Sequence, residues 1–509
     1  MTSVMIDTRP RAPVSPQVPR SSARSWLWLG IGAALLPFTL LQTVVPLAAW
    51  LAPVFLLRFT RMQRIRVAVP VLALVSYGAT LIAFRGLFSV PQVLGFAAAG
   101  FFTVIPYAAD RLLAPRLQGV VRTLAFPATD LIIGFTFSQS GALGSMGAPA
   151  YTQVGNLPLT QIVSVTGIWG LGFLIAWAAP VINELWERGF DLHAARRVVV
   201  SFLTVLLTVL FAGGAAVAFA APTSPTVHVA GLPPNRDLDD AAEVARVQPR
   251  PVPAEKRGEL HARYLQPVID DLFRRTAEAA RGGAKIVVWS EAASFVFAGD
   301  EAALIQRARE VARTEQIYLQ IGFVAMLPKS SYPSVDIRAI MIDPQGVVAY
   351  DYPKATRALS DGNALGPGLV PTVDTPYGRI ATVICHDANF PALVRQAGRA
   401  GADILLVPSS EWAEATEPIG RTASLRAIEN GVNLIRPARR GTSTAVDYQG
   451  RQLANKADYF IADDQTTIAH LPTAGVRTIY PWIGDTFAYL TIGGLVLLVV
   501  LAILRRHRA

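Results

Sequence analysis

The sequence contains a single cysteine, Cys385, and few charged residues, which make up 16% of its 509 positions. One cysteine excludes an internal disulfide, so Cys385 serves either as a reactive thiol or as a small buried side chain. Soluble proteins carry about a quarter charged residues, whereas 52% of this chain is hydrophobic. The shortage of charge therefore predicts that part of the chain lies in lipid.

The formal net charge of +10 raises the question of nucleic-acid binding. The basic residues adjoin apolar stretches, as in Arg58–Arg66 and Arg505–Arg508, and the sequence shows no stripe of alternating aromatic and basic residues. Membrane orientation explains this pattern better than phosphate binding. We therefore expect a membrane protein with no nucleic-acid partner.

Residues 1–25 are rich in Pro, Ser and Arg and lack a hydrophobic period, which predicts a disordered cytoplasmic tail. A cleaved signal peptide is the alternative, because arginines precede an apolar segment. Against it, the apolar region continues through many further segments, and no small-residue cleavage site precedes a soluble domain.

Eight apolar segments are candidates to span a bilayer. Seven lie within residues 26–221, and the eighth lies within 481–509, followed by a basic tail; they cover 26–41, 43–58, 66–85, 89–109, 120–138, 160–183, 198–221 and 486–504. If the arginine-rich connections are all cytoplasmic, residues 222–480 face the extracytoplasmic side. The spanning part shows no paired charges, which argues against a transporter.

Residues 222–480 alternate strand-like and helix-like runs, which predicts a layered α/β domain. The predicted helices are His261–Arg281 and Arg421–Asn430. The predicted strands are Val227–Leu232, Lys285–Trp289, Ile317–Phe323, Asp336–Asp343, Val347–Tyr352, Arg379–Ile384, Ile404–Val407, Asn433–Ala438 and Thr442–Val446.

Three of these strands end in a reactive side chain: Glu291, Lys354 and Cys385. Acyl transfer through a thiol needs a general base, a donor to the developing oxyanion and a nucleophile, and these residue types fill the roles in that order. Each also has a plainer interpretation. Glu291 could form an ion pair, Lys354 could lie on the surface, and Cys385 could fill the core.

The order Glu, Lys, Cys on three strand ends resembles the nitrilase (carbon-nitrogen hydrolase) superfamily. Within it, the chain is similar to the apolipoprotein N-acyltransferase family over nearly its whole length. The segments that carry the similarity are Pro127–Gly134, Thr166–Phe173, Ile384–Pro391, Leu425–Glu429 and Gly484–Asp485.

The resemblance implies a bundle of about eight membrane helices and an extracytoplasmic αββα sandwich in the bacterial plasma membrane. It implies that Cys385 takes an acyl chain from a phospholipid as a thioester and passes it to the amine of a diacylglyceryl-cysteine lipoprotein. Glu291 would be the base and Lys354 the oxyanion donor, with no metal or other cofactor. Asp387 matches an acidic position that could support catalysis or only cap the next helix.

Several positions depart from the family pattern. The link between Lys354 and Cys385 is short and holds no glutamate, with Asp361 as the acid near the expected place. Ser409–Trp412 replaces an Asn-Asp-Ala-Trp element, and Arg439 and Arg440 add two cations at the expected mouth of the site. Two alternatives therefore stay open: a membrane-tethered amidase or an acyltransferase with another amine acceptor, and a non-catalytic partner in lipoprotein processing.

Overall fold

The structure is a computed structural model that describes residues 23–140, 142–329, 332–357, 362–454, 457–460 and 465–506. Most of the predicted tail, together with Asp361 and Arg508, lies outside the described residues. The amino-terminal region is helical and comprises α1 (Ala23–Leu35), α2 (Pro46–Met62), α3 (Ile65–Ala83), α4 (Val90–Ala99), α5 (Ile105–Leu113), α6 (Ala125–Ser140), α7 (Leu157–Thr160), α8 (Val163–Glu187) and α9 (Leu192–Phe219).

Five helical stretches of the described chain are long and apolar enough to cross a membrane. They are Ile65–Ala83, Val90–Arg116, Val163–Glu187, Leu192–Phe219 and Thr486–Arg505. The other three predicted segments coincide with α1, α2 and α6, which have 13, 17 and 16 residues. A membrane protein is thus supported, and the count of eight spans stays a prediction.

Charged side chains at or near the ends of the predicted spans form ion pairs that the sequence did not indicate. The Arg61 guanidinium of α2 is buried and bonds both carboxylate oxygens of Asp110 at 2.8 Å. Glu184, near the end of α8, pairs with Arg122 at 3.1 Å and Arg188 at 2.6 Å. Arg61 and Asp110 are 49 residues apart, and Arg122 and Glu184 are also distant in sequence, so a linear hydropathy pattern does not indicate that these charges are paired.

The following domain contains two sheets. The first has the order β15-β1-β2-β4-β5-β6, with β3 beside β4, and the second has the order β14-β13-β11-β9-β8-β7. The strands of the first sheet are β1 (Thr226–Leu232), β2 (Ile286–Trp289), β3 (Ser294–Phe297), β4 (Tyr318–Met326), β5 (Val335–Ile342), β6 (Val348–Pro353) and β15 (Thr467–Pro472). Those of the second are β7 (Thr372–Thr375), β8 (Gly378–Thr382), β9 (Ile404–Leu406), β11 (Asn433–Arg436), β13 (Thr442–Val446) and β14 (Ala457–Asp458), while β10 (Ser409–Ser410) pairs with β12 (Ala438–Arg439).

Helices cover the outer face of each sheet. The helices of this domain are α10 (Arg236–Ala241), α11 (Glu243–Arg246), α12 (Ala254–Leu260), α13 (Gln266–Arg281), α14 (Glu301–Glu315), α15 (Pro391–Arg399) and α16 (Thr416–Asn430). After the domain, the chain continues through α17 (Tyr480–Ile483) and α18 (Thr486–Arg506). Val229, Ile286 and Ile404 belong to a core between the sheets, so the layers stack as helix, sheet, sheet, helix. The predicted αββα sandwich is confirmed.

The sandwich meets the membrane helices where its chain enters and leaves, and along α16. Strand β1 pairs antiparallel with β15, with Thr226 opposite Pro472, so the two ends of the domain leave it side by side. Helix α16 packs on the second sheet through Ala423 and Ala427. Its Leu425 and Ile428 pack in a cluster with residues of α8. This helix therefore lies between the catalytic sheets and the membrane region.

Candidate active site

Glu291 lies directly after β2, where the chain leaves the first sheet. The preceding Ser290 N–H donates to the Leu232 carbonyl at 3.0 Å, and Ala292 turns the chain with φ +52°. Strand β4 passes so close that a Cβ at Gly322 would lie 2.1 Å from the Ser290 carbonyl. Glycine at 322 therefore lets the Glu291 turn pack against the sheet, and the carboxylate is buried.

Lys354 follows β6 and is held by its backbone. Its N–H donates to the Ile337 carbonyl at 2.9 Å, and its carbonyl accepts from Gly366 N–H at 2.8 Å. The side chain is buried, and Nζ lies 2.7 Å from Oε1 of Glu291. The base and the oxyanion donor predicted from the sequence therefore form one buried ion pair.

Cys385 has left-handed backbone geometry, with φ +46°, which is uncommon for a residue other than glycine. The Cys385 N–H donates to the Pro408 carbonyl at 2.9 Å, and Sγ contacts the Ser410 carbonyl at 3.6 Å. The Ser410 N–H in turn donates to Oε2 of Glu291 at 2.9 Å. The structure thus brings the three predicted residues together around the backbone of Ser410.

The surroundings of Cys385 keep it protonated at rest. Burial raises the pKa of the thiol to about 12, and the neighbouring Glu291 carboxylate acts in the same direction. The Lys354 ammonium lowers the pKa of the thiol, but its effect is smaller. Because the thiolate is the nucleophilic form, a reaction at Cys385 would need a group that removes the proton, and the Glu291 carboxylate lies beside the thiol.

Asp387 connects the cysteine turn to the lysine segment. Its Oδ2 accepts from the Ile384 N–H at 3.0 Å and from the Tyr352 hydroxyl at 2.8 Å. Its Oδ1 accepts from the Thr356 N–H at 2.8 Å and from the Thr356 hydroxyl at 2.7 Å. Local capping, one of the two interpretations of Asp387 from the sequence, accounts for one of these four bonds. The other three reach the segment around Lys354.

A cavity of about 400 Å³ opens in front of these residues. Glu291, Lys354 and Cys385 line it together with residues from both parts of the chain: Phe88, Leu143, Met146, Phe295, His386, Glu411, Trp412, Ile419 and Arg439. The rings of Phe88 and Trp412 lie 6.2 Å apart in an edge-to-face arrangement. The region of the membrane helices therefore forms one wall of the cavity.

The two cations expected at the mouth occupy different places. Arg439 lines the cavity, whereas Arg440 points to Asp240, with Nη2 2.9 Å from Oδ1. Both also bond the buried Asp239, which lies 200 residues earlier in the chain. Glu411, in the altered Ser409–Trp412 element, contacts the buried Arg436.

Sequence reasoning missed Ser410 and Asp239. Ser410 acts through its peptide group, which any residue possesses, so its identity carries no signal. Asp239 could have been suspected only as an acid with a distant basic partner. The described residues include no cluster of three or more His, Cys, Asp or Glu side chains suited to a metal ion.

Residues 243–479 match the carbon-nitrogen hydrolase family. Apolipoprotein N-acyltransferase of Geobacter metallireducens is 26% identical over 401 residues, which cover 74% of this chain and 71% of that protein. The protein of the same name from Bradyrhizobium diazoefficiens is 26% identical over 451 residues, covering 81% and 79%. A deaminated glutathione amidase of Yersinia enterocolitica is 27% identical over 199 residues, covering 35% and 68%. Residues 243–479 therefore match a carbon-nitrogen hydrolase domain, and the chain as a whole is similar to the apolipoprotein N-acyltransferases over most of its length.

Proposed function

We propose that this protein is a plasma-membrane N-acyltransferase that moves an acyl chain from a phospholipid to the terminal amine of a diacylglyceryl-cysteine lipoprotein. The observation that carries the proposal is the composition of the cavity. Cys385, Glu291 and Lys354 line one side, and Phe88, Leu143 and Met146, from the membrane region, line another. A substrate that enters from the lipid would meet the nucleophile without passing through water.

In the first half-reaction, Glu291 accepts the thiol proton while Sγ of Cys385 attacks the ester carbonyl of the phospholipid. The carbonyl oxygen becomes an alkoxide, which the positive charge of the Lys354 ammonium stabilises, because Nζ is held in the cavity lining beside Glu291. Collapse of this intermediate breaks the ester C–O bond. Glu291 returns the proton to the leaving glycerol oxygen, which yields a lysophospholipid and an acyl thioester on Cys385.

In the second half-reaction, the neutral amine of the acceptor attacks the thioester carbonyl. Glu291 accepts the amine proton, the C–S bond breaks, and the sulfur regains a proton from Glu291. The products are an amide and the free Cys385 thiol, so protons and electron pairs balance over the cycle. A thioester reacts readily with amines, and the buried cavity limits competing hydrolysis.

Intact-protein mass spectrometry tests this scheme. Purified full-length protein is incubated with phosphatidylglycerol and then with a diacylated lipopeptide, with Cys385→Ala as the matched control. The expected result is one acyl mass on Cys385 that hydroxylamine removes and the lipopeptide amine discharges. An adduct that water discharges as fast as the amine would favour the amidase, and an unmodified Cys385 would refute the phospholipid donor.

A further inference from the structure

Arg439 is held rigidly at the polar end of the catalytic cavity. Its Nε donates to Oδ1 and Oδ2 of Asp239 at 3.0 and 3.1 Å. Its Nη1 donates to the Ser410 hydroxyl at 3.2 Å, and the guanidinium lies 5.6 Å from the ring centroid of Phe295. Arg439 is therefore fixed on three sides before any substrate binds.

One nitrogen of this guanidinium, Nη2, is available to donate to a ligand. Within the described part of the chain, no group accepts a hydrogen bond from Nη2 of Arg439. About 10% of the side-chain surface is exposed, and the residue lines the cavity. An arginine stays charged under all working conditions and suits phosphate oxygens well. The cavity therefore presents a fixed cationic donor to its contents.

The neighbouring charges are mostly paired, and Arg439 is the least neutralised of them. Arg246, Arg439 and Arg440 all bond the buried carboxylate of Asp239. Arg246 also pairs with Glu243 at 2.7 Å, and Arg440 pairs with Asp240 at 2.9 Å. Among the described residues, Arg439 pairs with no carboxylate besides the shared Asp239, so its charge is only partly neutralised.

Arg439 is also close to the nucleophile. It contacts the hydroxyl of Ser410, the same residue whose carbonyl contacts Sγ of Cys385. The opposite end of the cavity is apolar, with Phe88, Leu143 and Met146. In a phospholipid, a short glycerol linkage separates the ester from the phosphate, and the acyl chain extends away from both. The cavity presents matching groups in the same order: Arg439 for the phosphate, Cys385 for the ester and the apolar side chains for the acyl chain.

We propose that Arg439 is a specificity-determining residue that binds the phosphodiester of the acyl donor and so selects phospholipids over neutral glycerolipids. This inference rests on the proposed function, because it concerns the donor of the same reaction. Arg439 is not a catalytic residue in this scheme, since it touches the head group rather than the reacting atoms.

The test compares acylation of Cys385 by phosphatidylglycerol and by diacylglycerol with the same acyl chains. For wild type, we expect kcat/KM to be at least about tenfold higher with the phospholipid, as one charge-assisted hydrogen bond provides. Arg439→Gln should lose this preference mainly through a higher KM for the phospholipid, while its rate with diacylglycerol stays within about twofold of wild type. Arg439→Lys should recover part of the preference, and Arg440→Gln, whose side chain points away from the cavity, should behave as wild type.

A second measurement follows inhibition of the wild-type protein, with Arg439→Gln as its control. Free sn-glycerol 3-phosphate should slow acylation of wild-type Cys385 by a p-nitrophenyl ester and should have no effect on Arg439→Gln. Either of two results would overturn the proposal. One is that Arg439→Gln slows both lipid reactions equally and so keeps the phospholipid preference. The other is that sn-glycerol 3-phosphate does not inhibit wild type.

The lipid donor and the role of Arg439 can be refuted separately. If neither lipid acylates wild-type Cys385 while the p-nitrophenyl ester does, the lipid donor is wrong, and the role of Arg439 falls with it. If both lipids acylate it equally well, the donor class stands and only the role of Arg439 is refuted.

Discussion

Replacing Asp387 with asparagine is the substitution that best separates positioning from chemistry in this site. The side chain keeps its size, but one carboxylate oxygen becomes an NH₂ group. Oδ1 of Asp387 accepts two bonds, both from Thr356, and Oδ2 accepts from Tyr352, from Ile384 and, at 3.5 Å, from Ala355. Whichever way the amide turns, at least one backbone N–H then faces another donor, because a hydroxyl can rotate to accept a bond but a peptide N–H cannot.

The structure sets the size of the effect. A hydrogen bond to a charged group contributes about 1.5–3 kcal/mol and a neutral one about 0.5–1.5 kcal/mol, so the loss of one bond and the weakening of the others corresponds to about 3–6 kcal/mol. These bonds hold the segment of Lys354 against the turn of Cys385, so most of the loss should appear as a misplaced site rather than as global unfolding. Since about 1.4 kcal/mol is a factor of ten in rate, we expect acylation to slow at least about a hundredfold.

Single-turnover acylation, followed by intact mass, measures the rate, and thermal unfolding in detergent checks the fold. Thr356→Ala is the matched control, because it removes only the hydroxyl donor and leaves the Thr356 N–H bond to Asp387 in place. It should cost about 1 kcal/mol and slow acylation less than about tenfold. Acylation by Asp387→Asn within about threefold of wild type would refute the reasoning, as would an equal loss in the Thr356→Ala control.

Three further predictions concern the thiol, the Asp239 cluster and the topology. Alkylation of Cys385 by iodoacetamide should rise about tenfold per pH unit between pH 7 and 9, because the pKa of the thiol is raised to about 12; a plateau in this range would contradict it. Burial raises the pKa of Asp239, but Arg439 and Arg246 outweigh burial and leave it below its usual value. The native state therefore gains stability from Asp239 above the usual carboxylate range and loses it as the pH falls through the lowered pKa. Asp239→Asn should accordingly lower the thermal unfolding temperature fully at pH 7, and the difference from wild type should shrink only below about pH 4; a difference that is constant with pH would exclude this cause. In a Cys385→Ala background, a membrane-impermeant maleimide should label Arg281→Cys in intact cells and should spare Asp191→Cys, whereas the reverse pattern would invert the topology.

Some of the site could be predicted because it is local in the sequence. Glu291, Lys354 and Cys385 each follow an apolar run, and a run of that kind ends where a buried strand reaches the edge of its sheet. Strand β4 has all nine residues buried, as expected for a strand covered on both faces. Helix α13 buries Val268, Ile269, Leu272 and Phe273, one side of a period of 3.6 residues.

The remainder could not be predicted because it depends on distant partners or on backbone geometry. Nothing near Arg439 indicates that Asp239 neutralises part of its charge, and nothing near Arg61 indicates that Asp110 pairs with it. The left-handed conformation of Cys385 is likewise invisible in the sequence, since it is imposed by the bond from Cys385 N–H to the Pro408 carbonyl and by the neighbouring turn.

The loop that links α6 to α7 connects the membrane region to the turn of Cys385. Residues 138–158 contain no charged side chain, and the structure supplies the reason, because part of this loop packs against the turn of Cys385. The Ser145 N–H and hydroxyl both donate to the Asn389 carbonyl, at 2.8 and 2.7 Å. The Asn389 amide donates to Nδ1 of His386 at 2.8 Å, so Nε2 carries the proton and donates to the Ala142 carbonyl at 2.8 Å. A charged side chain in this contact would be buried without a partner, which is costly. The absence of charge that first indicates a membrane protein therefore has a second origin in this loop, namely a polar but neutral seam between the lipid-facing helices and the turn of Cys385.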